Sequence, residues 1–263
     1  MSERVLRLLD EIWSAQKGQL DEAGNQMIRM APLIAEIRAI HETGASPGDE
    51  ITDLNFDNIS PQEAFKLFRS VPWGILPRLR GNPHSSLIGL LSHWWLNRAA
   101  DSWVLDGPPQ ITGTVNGEPN VKRAADLILG SGSLPSVVVE VEGTNHLKKL
   151  DTLGMYLRST ESDFSPIDFG VLVSYAYPPE RPVVPIEDIA PALSDLTSTL
   201  NGKWVFVLEL SKEPVTVKAP LMQRNEYYQY QFKDVRMTAS VNGSVTATDD
   251  YIVPFPVSSA PNI

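Results

Sequence analysis

The chain has no cysteine among its 263 residues and only four histidines. Disulfides, thiolate metal sites and cysteine nucleophiles are thereby excluded, and any metal must be held by oxygen or imidazole. No apolar run approaches the roughly eighteen residues that span a bilayer, so no transmembrane helix is expected. The first residues, MSERVLRLLDEIW, carry acids where a signal peptide would have its apolar core. Together these features lead us to expect an intracellular, cytoplasmic protein. Basic charge is scarce as well: 22 Lys and Arg stand against 32 Asp and Glu, a net charge of −10. Averaged over the chain there is no basic footprint, which argues against strong nonspecific binding to phosphate backbones without a divalent ion. A P-loop, a dinucleotide fingerprint, a GxSxG elbow and zinc-ligand spacing are all missing too.

What is present reads as alternating helices and strands. Residues 2–42 have apolar residues at mixed spacings of three and four, interrupted near Lys17, Gly18 and Gly24, and predict a helical hairpin. TGASPGDE (43–50) is a loop. Ser60-Pro61-Gln62-Glu63 is a capping box with proline at the first helical position. PWGILPRLRGNPHSS (72–86) is a connector, and residues 85–103 form the strongest amphipathic helix of the chain. Gln110–Val115 is expected to turn at Asn116-Gly117 into the strand that carries Asp126. A second strand, Val137–Val141, follows the breaker SGSLP, and a helix follows from Asn145 with Leu147, Leu150, Leu153 and Leu157 on one face. DFGVLVSYAY (168–177) and residues 203–210 read as buried strands around a helix over 186–200. Beyond Pro214, the segments 227–232, 235–241 and 244–247 suggest a small antiparallel sheet, with Asn242-Gly243 as a turn. The expected architecture is α/β: a central mixed β-sheet flanked by helices in 84–213, a helical N-terminal arm in 1–83, and a small C-terminal β extension in 214–263.

The chemistry concentrates in VKRAADLILGSGSLPSVVVEVEGT, residues 121–144. Asp126, Glu140 and Glu142 sit in otherwise apolar β segments, where a carboxylate is expensive unless paired, protonated or metal-bound. Glu140 and Glu142 are two apart, so on a strand their side chains start about 6.5–7 Å apart on one face. If the Asp126 strand lies alongside, all three converge. Hard divalent ions such as Mg²⁺ take carboxylate and water ligands, often only one or two from protein. Such an ion can activate water for in-line phosphoryl displacement. The competing reading is plain amphipathic alternation, with both glutamates on the solvent face of an edge strand and Val137, Val139 and Val141 packed inward. Asp126 could equally pair with Lys122 or Arg123. A glycosidase also uses paired carboxylates, but two acids on one strand bracket a sugar bond poorly.

Asp126 on one strand, Glu140-Val141-Glu142 on the next and a helix after it resemble the PD-(D/E)XK restriction-endonuclease-like superfamily. The resemblance covers about residues 84–210, including the preceding helix, the meander and the later strands. It implies a restriction-endonuclease-like fold and a Mg²⁺- or Mn²⁺-dependent nuclease acting on nucleic acid, DNA more often than RNA. By that resemblance Asp126 and Glu140 would bind the metal and Glu142 would be a ligand or orient the attacking water. The chain departs from the pattern at Glu142, where the family normally has lysine, and at Ala125, where it often has proline. Lys148 or Lys149 on the following helix could supply a displaced cation, and Lys122 or Arg123 could face the scissile phosphate. The first core helix lacks the family's acidic helper, leaving His93, four residues before Asn97, as a stand-in or as an ordinary helix histidine. Cutting both strands of a duplex would favour a homodimer. The alternative within the same fold is a catalytically silent binding or assembly subunit.

Overall fold

A computed structural model describes residues 59–71, 73, 83–98, 101–115, 117–131, 134–159, 166–177, 182–217 and 227–253. The expected helical arm (2–42), the 43–50 loop and most of the 72–86 connector lie outside the described residues. So do the side chains of Tyr227, Tyr228, Tyr230 and Lys233.

In chain order the elements are α1 (Pro61–Arg69), α2 (His84–Leu96), β1 (Ser102–Asp106), β2 (Ile111–Val115), β3 (Glu118–Arg123), β4 (Leu127–Ser131) and β5 (Leu134–Glu142). Then come α3 (His146–Arg158), β6 (Phe169–Tyr175), α4 (Ile186–Ser198), β7 (Trp204–Val217), β8 (Tyr227–Val241) and β9 (Ser244–Ile252). Seven strands form one mixed sheet in the order β1-β4-β5-β6-β7-β8-β9, and β2 and β3 form a separate two-stranded sheet. β4 runs antiparallel to both neighbours, while β5, β6 and β7 are mutually parallel. The protein is thus an α/β fold with a large mixed sheet flanked by helices, as the alternation of elements predicts.

Alternation along the central strands divides the core. Val137, Val139, Val141, Val171, Val173 and Phe206 pack on one face against α1 and α2. Val138, Leu172, Val205 and Val207 face α3 and α4 on the other. β6, FGVLVSY, is buried at every position because helices cover both of its faces. The Ser60 capping box opens α1 as expected: the Glu63 N–H donates to Ser60 Oγ and the Ser60 N–H to Glu63 Oε2.

Three expectations are corrected. The helix expected over 85–103 ends at Leu96, and Trp103 belongs to β1, which pairs with β4. The Asn97 side chain turns back onto the His93 carbonyl at the helix end. β2 pairs with β3, not with the Asp126 strand; residues 124–126 break the chain between β3 and β4. The C-terminal segments do not make a separate sheet. β8 is one long strand paired with β7 from Val205↔Ser240 to Val217↔Tyr227, so the sheet runs straight through the expected boundary at 213/214. A bulge at Ser211/Lys212 absorbs the irregularity that reads as a break in the sequence. The Asn242-Gly243 turn is present, with φ of 50° and 77° at its two central residues.

Gly130 shows how tightly the β1 edge is closed. A Cβ there would lie 2.1 Å from the Trp103 ring, which covers it from the paired position on β1. Trp95 Nε1 also donates to the Gly130 carbonyl at 2.8 Å. Gly130→Ala is expected to destabilise the fold by about 1–3 kcal/mol through overpacking, read as a lower urea midpoint at unchanged slope.

A buried Asp–Glu–Lys candidate active site

β5 is a central strand, between β4 and β6, so the edge-strand reading of its glutamates fails. Glu140 shares the face of Val138 and is fully buried, at 0% exposure. Asp126 immediately precedes β4, whose Leu127 pairs with Val139, which brings its carboxylate across to Glu140. The Val141 N–H donates to Asp126 Oδ2 at 2.8 Å. α3 packs over this point and contributes Lys149, whose Nζ donates to Asp126 Oδ2 at 2.9 Å and to Glu140 Oε2 at 2.5 Å. From the first turn of α2, His84 Nε2 stands 3.4 Å from the same Asp126 oxygen. Among the described residues, Glu140 Oε1 is buried without a hydrogen-bond partner.

The charges are unequal. Burial would raise Asp126, but hydrogen bonds from His84, the Glu140 carboxyl and the Val141 N–H, with the charge of Lys149, hold it well below the usual carboxylate range. Glu140 goes the other way: burial, then the hydrogen bond and charge of Asp126, push it up to about 9 against the pull of Lys149. Lys149 is drawn down by burial, yet the charges and hydrogen bonds of Glu140 and Asp126 outweigh this and keep it protonated. Asp126 is therefore the anion of the cluster, Lys149 its cation, and Glu140 the group that exchanges a proton.

Glu140 has a folded pKa above its ordinary 4.5, so its contribution is fully present below about that pH and fades as pH rises toward about 9. Asp126, depressed from 3.8, contributes above that value and loses its contribution only in acid. Stability is expected to fall between pH 5 and pH 9 on the order of the Glu140 linkage, and Glu140→Gln should flatten the slope. Urea unfolding at a series of pH values checks this.

Glu142 is placed differently from its partners. Its Oε1 accepts from the N–H groups of Gly143 and Thr144 at 2.8 and 2.7 Å and from Thr144 Oγ1 at 3.0 Å. It thus secures the turn into α3. Burial would raise its pKa, but hydrogen bonds from Thr144, Asn145 and Gly143 outweigh that and lower it, making it a poor base. His146 behind it is buried, with Nε2 2.8 Å from Ser174 Oγ, and burial outweighs the nearby Glu142 to keep it neutral. Glu209 is another buried carboxyl, its pKa raised by burial, but it accepts from the Ile186 N–H at the start of α4, a structural use.

The accessory residues sort by position. Lys148 is exposed, and Lys149 beside it turns inward to the carboxylates. His93 lies nine residues along α2 from His84, about 13 Å down the axis, and meets Asn97 rather than Asp126. Lys122 is exposed on the hairpin. Arg123 donates to the Lys122 carbonyl at 3.1 Å, and the Asp126 carboxylate instead meets Lys149 and His84. His84 sits in the connector as read from sequence; Pro83 before it is the signal that the helix opens one residue earlier, placing His84 in its first turn.

The donor set suits a hard divalent cation in part. Two carboxylates, one with an unpartnered buried oxygen, match the one or two protein ligands that Mg²⁺ usually takes. Among the described residues no group of three or more His, Asp or Glu side chains is gathered closely enough to hold a metal, so water and substrate would complete the shell. No family model, no curated protein and no solved structure matches the chain.

Proposed function

We propose that the protein is a metal-dependent phosphodiesterase of the restriction-endonuclease-like kind, cutting DNA at the Asp126–Glu140–Lys149 cluster. The observation that carries this reading is the shared Lys149: two carboxylates from adjacent strands, one of them fully buried, converge on one cation at the start of the following helix. The element order around it, a helix, a meander, a helix and a parallel strand, supports the same reading. Asp126 and Glu140 would hold Mg²⁺ or Mn²⁺, which supplies charge stabilisation and a more acidic water. Lys149 stabilises charge on the phosphoryl oxygens and keeps the attacking water oriented. Water oxygen bonds to phosphorus and gives up its proton to solvent as the P–O ester bond opposite it breaks, and the departing alkoxide takes a proton from solvent. Glu142 fixes the turn that delivers Lys149. Because Glu140 holds a proton when no cation is present, cation binding releases it and strengthens as pH rises.

A second reading has its own support: Lys149 already neutralises the pair, so the triad could be a structural ion network in a binding or assembly subunit. The test is incubation of duplex DNA, single-stranded DNA and RNA with the protein in Mg²⁺, Mn²⁺ or EDTA. The nuclease reading expects divalent-dependent cleavage of DNA. No cleavage of any substrate in either metal would support the binding subunit. Among the described residues no helix is long and apolar enough to cross a membrane.

A further inference from the structure

We infer that Tyr156 is a positioning residue for Asp126, pinning the chain just before that carboxylate to the root of the β2–β3 hairpin. The inference rests on the phosphodiesterase reading of the site. Asp126 lies outside the strand ladder: residues 124–126 form a short break between β3 and β4. Something else must fix its backbone. The Ala125 N–H donates to Tyr156 Oη at 3.3 Å, and Tyr156 Oη donates to the Pro109 carbonyl at 2.9 Å. The Asp126 carbonyl accepts in turn from the Gly107 N–H at 3.0 Å. One hydroxyl therefore joins the segment entering the hairpin to the segment leaving it.

Tyr156 is 1% exposed and set in an apolar cluster with Ile128, Leu153 and Leu157. A phenylalanine would fill that space equally well, so the hydroxyl is explained by the two backbone groups it satisfies. It stands seven residues after Lys149, on the same face of α3. One helix face thus holds Asp126 twice, at its carboxylate through Lys149 and at its backbone through Tyr156. The hairpin rests on the same helix: a Cβ on Gly113 would come within 3.1 Å of the Met155 side chain.

Tyr156→Phe removes the bridge and keeps the ring. Its expected result is a Mn²⁺ affinity lower by about tenfold, the scale of losing a group that orients a ligand. We also expect a comparable fall in kcat with KM for DNA unchanged, and faster amide exchange at Ala125 in EDTA. Placing 4-aminophenylalanine at 156, which restores a donor to Pro109 but only a poor acceptor for the Ala125 N–H, should leave most of the kcat loss in place. A Tyr156→Phe protein with a lower melting temperature but wild-type Mn²⁺ affinity and kcat would overturn the positioning role. Should Tyr156→Phe not fold, exchange in the wild type decides: Ala125 protected like the β4 amides supports the pin, and Ala125 exchanging freely overturns it. If the wild type neither binds Mn²⁺ nor cuts DNA, the phosphodiesterase reading fails and takes the positioning role with it. The metal-free Ala125 exchange tells that failure apart from a failure of the pin.

Discussion

On the phosphodiesterase reading, Glu140→Gln is expected to reduce divalent-dependent cleavage by about 10³-fold, the scale of losing one preorganised charge at a reacting centre, while leaving the fold intact. Glutamine keeps the shape of the side chain and can still accept from Lys149, so packing against Val138 and Leu172 is undisturbed. It cannot supply the second negative charge that a divalent cation needs beside Asp126. Asp126→Asn should match it in activity but differ in stability. Asp126 is ionised and accepts from the Val141 N–H and Lys149, so its replacement weakens two charge-assisted hydrogen bonds. Glu140 with its elevated pKa is close to neutral already. Single-turnover cleavage alongside urea unfolding separates the two variants.

Lys149→Met carries the largest expected stability effect. Removing one member of a buried ion network leaves uncompensated charge, which costs about 3–5 kcal/mol. Lys149 and Asp126 have 18% and 14% side-chain exposure and Glu140 has none, so solvent screening offsets little of this. The loss should depend on pH. Near pH 5 Glu140 carries its proton and the cluster without Lys149 holds a single negative charge, which limits the damage. Above about pH 9 wild-type Glu140 ionises against Lys149, whereas in the variant, which lacks that pull, ionisation is disfavoured further, and the full loss appears. A divalent cation should restore stability to Lys149→Met more than to the wild type, because it replaces the missing charge. Melting curves with and without Mn²⁺ at both pH values check each part.

Asp126 and Glu140 are legible from sequence because carboxylates inside apolar β runs demand an explanation, and the strand period puts Glu140 opposite the valines that flank it. The lysine is harder. Lys148 and Lys149 are adjacent, and the sequence leaves either free to supply the cation. In the structure Leu147 is 55% exposed, and the buried face runs through Lys149, Leu150, Leu153 and Tyr156. Glu142 obeys the same strand period as Glu140, but the chain bends into α3 just after it and three local donors capture its oxygen. That competition between a local turn and a distant partner does not show in spacing. His84 is hidden by its place in a Pro/Gly-rich connector. The merger of β7, β8 and β9 into the main sheet is hidden because pairing between distant segments leaves no periodic trace in either one.

The most direct test is calorimetric titration of Mn²⁺ into the wild type and into Glu140→Gln at pH 8. The wild type is expected to bind saturably with release of a proton, seen as a dependence of the heat on buffer ionisation enthalpy, and Glu140→Gln to lose that binding. Equal binding by the two proteins, or none by the wild type, would contradict this expectation and leave Asp126, Glu140 and Lys149 as a structural ion network.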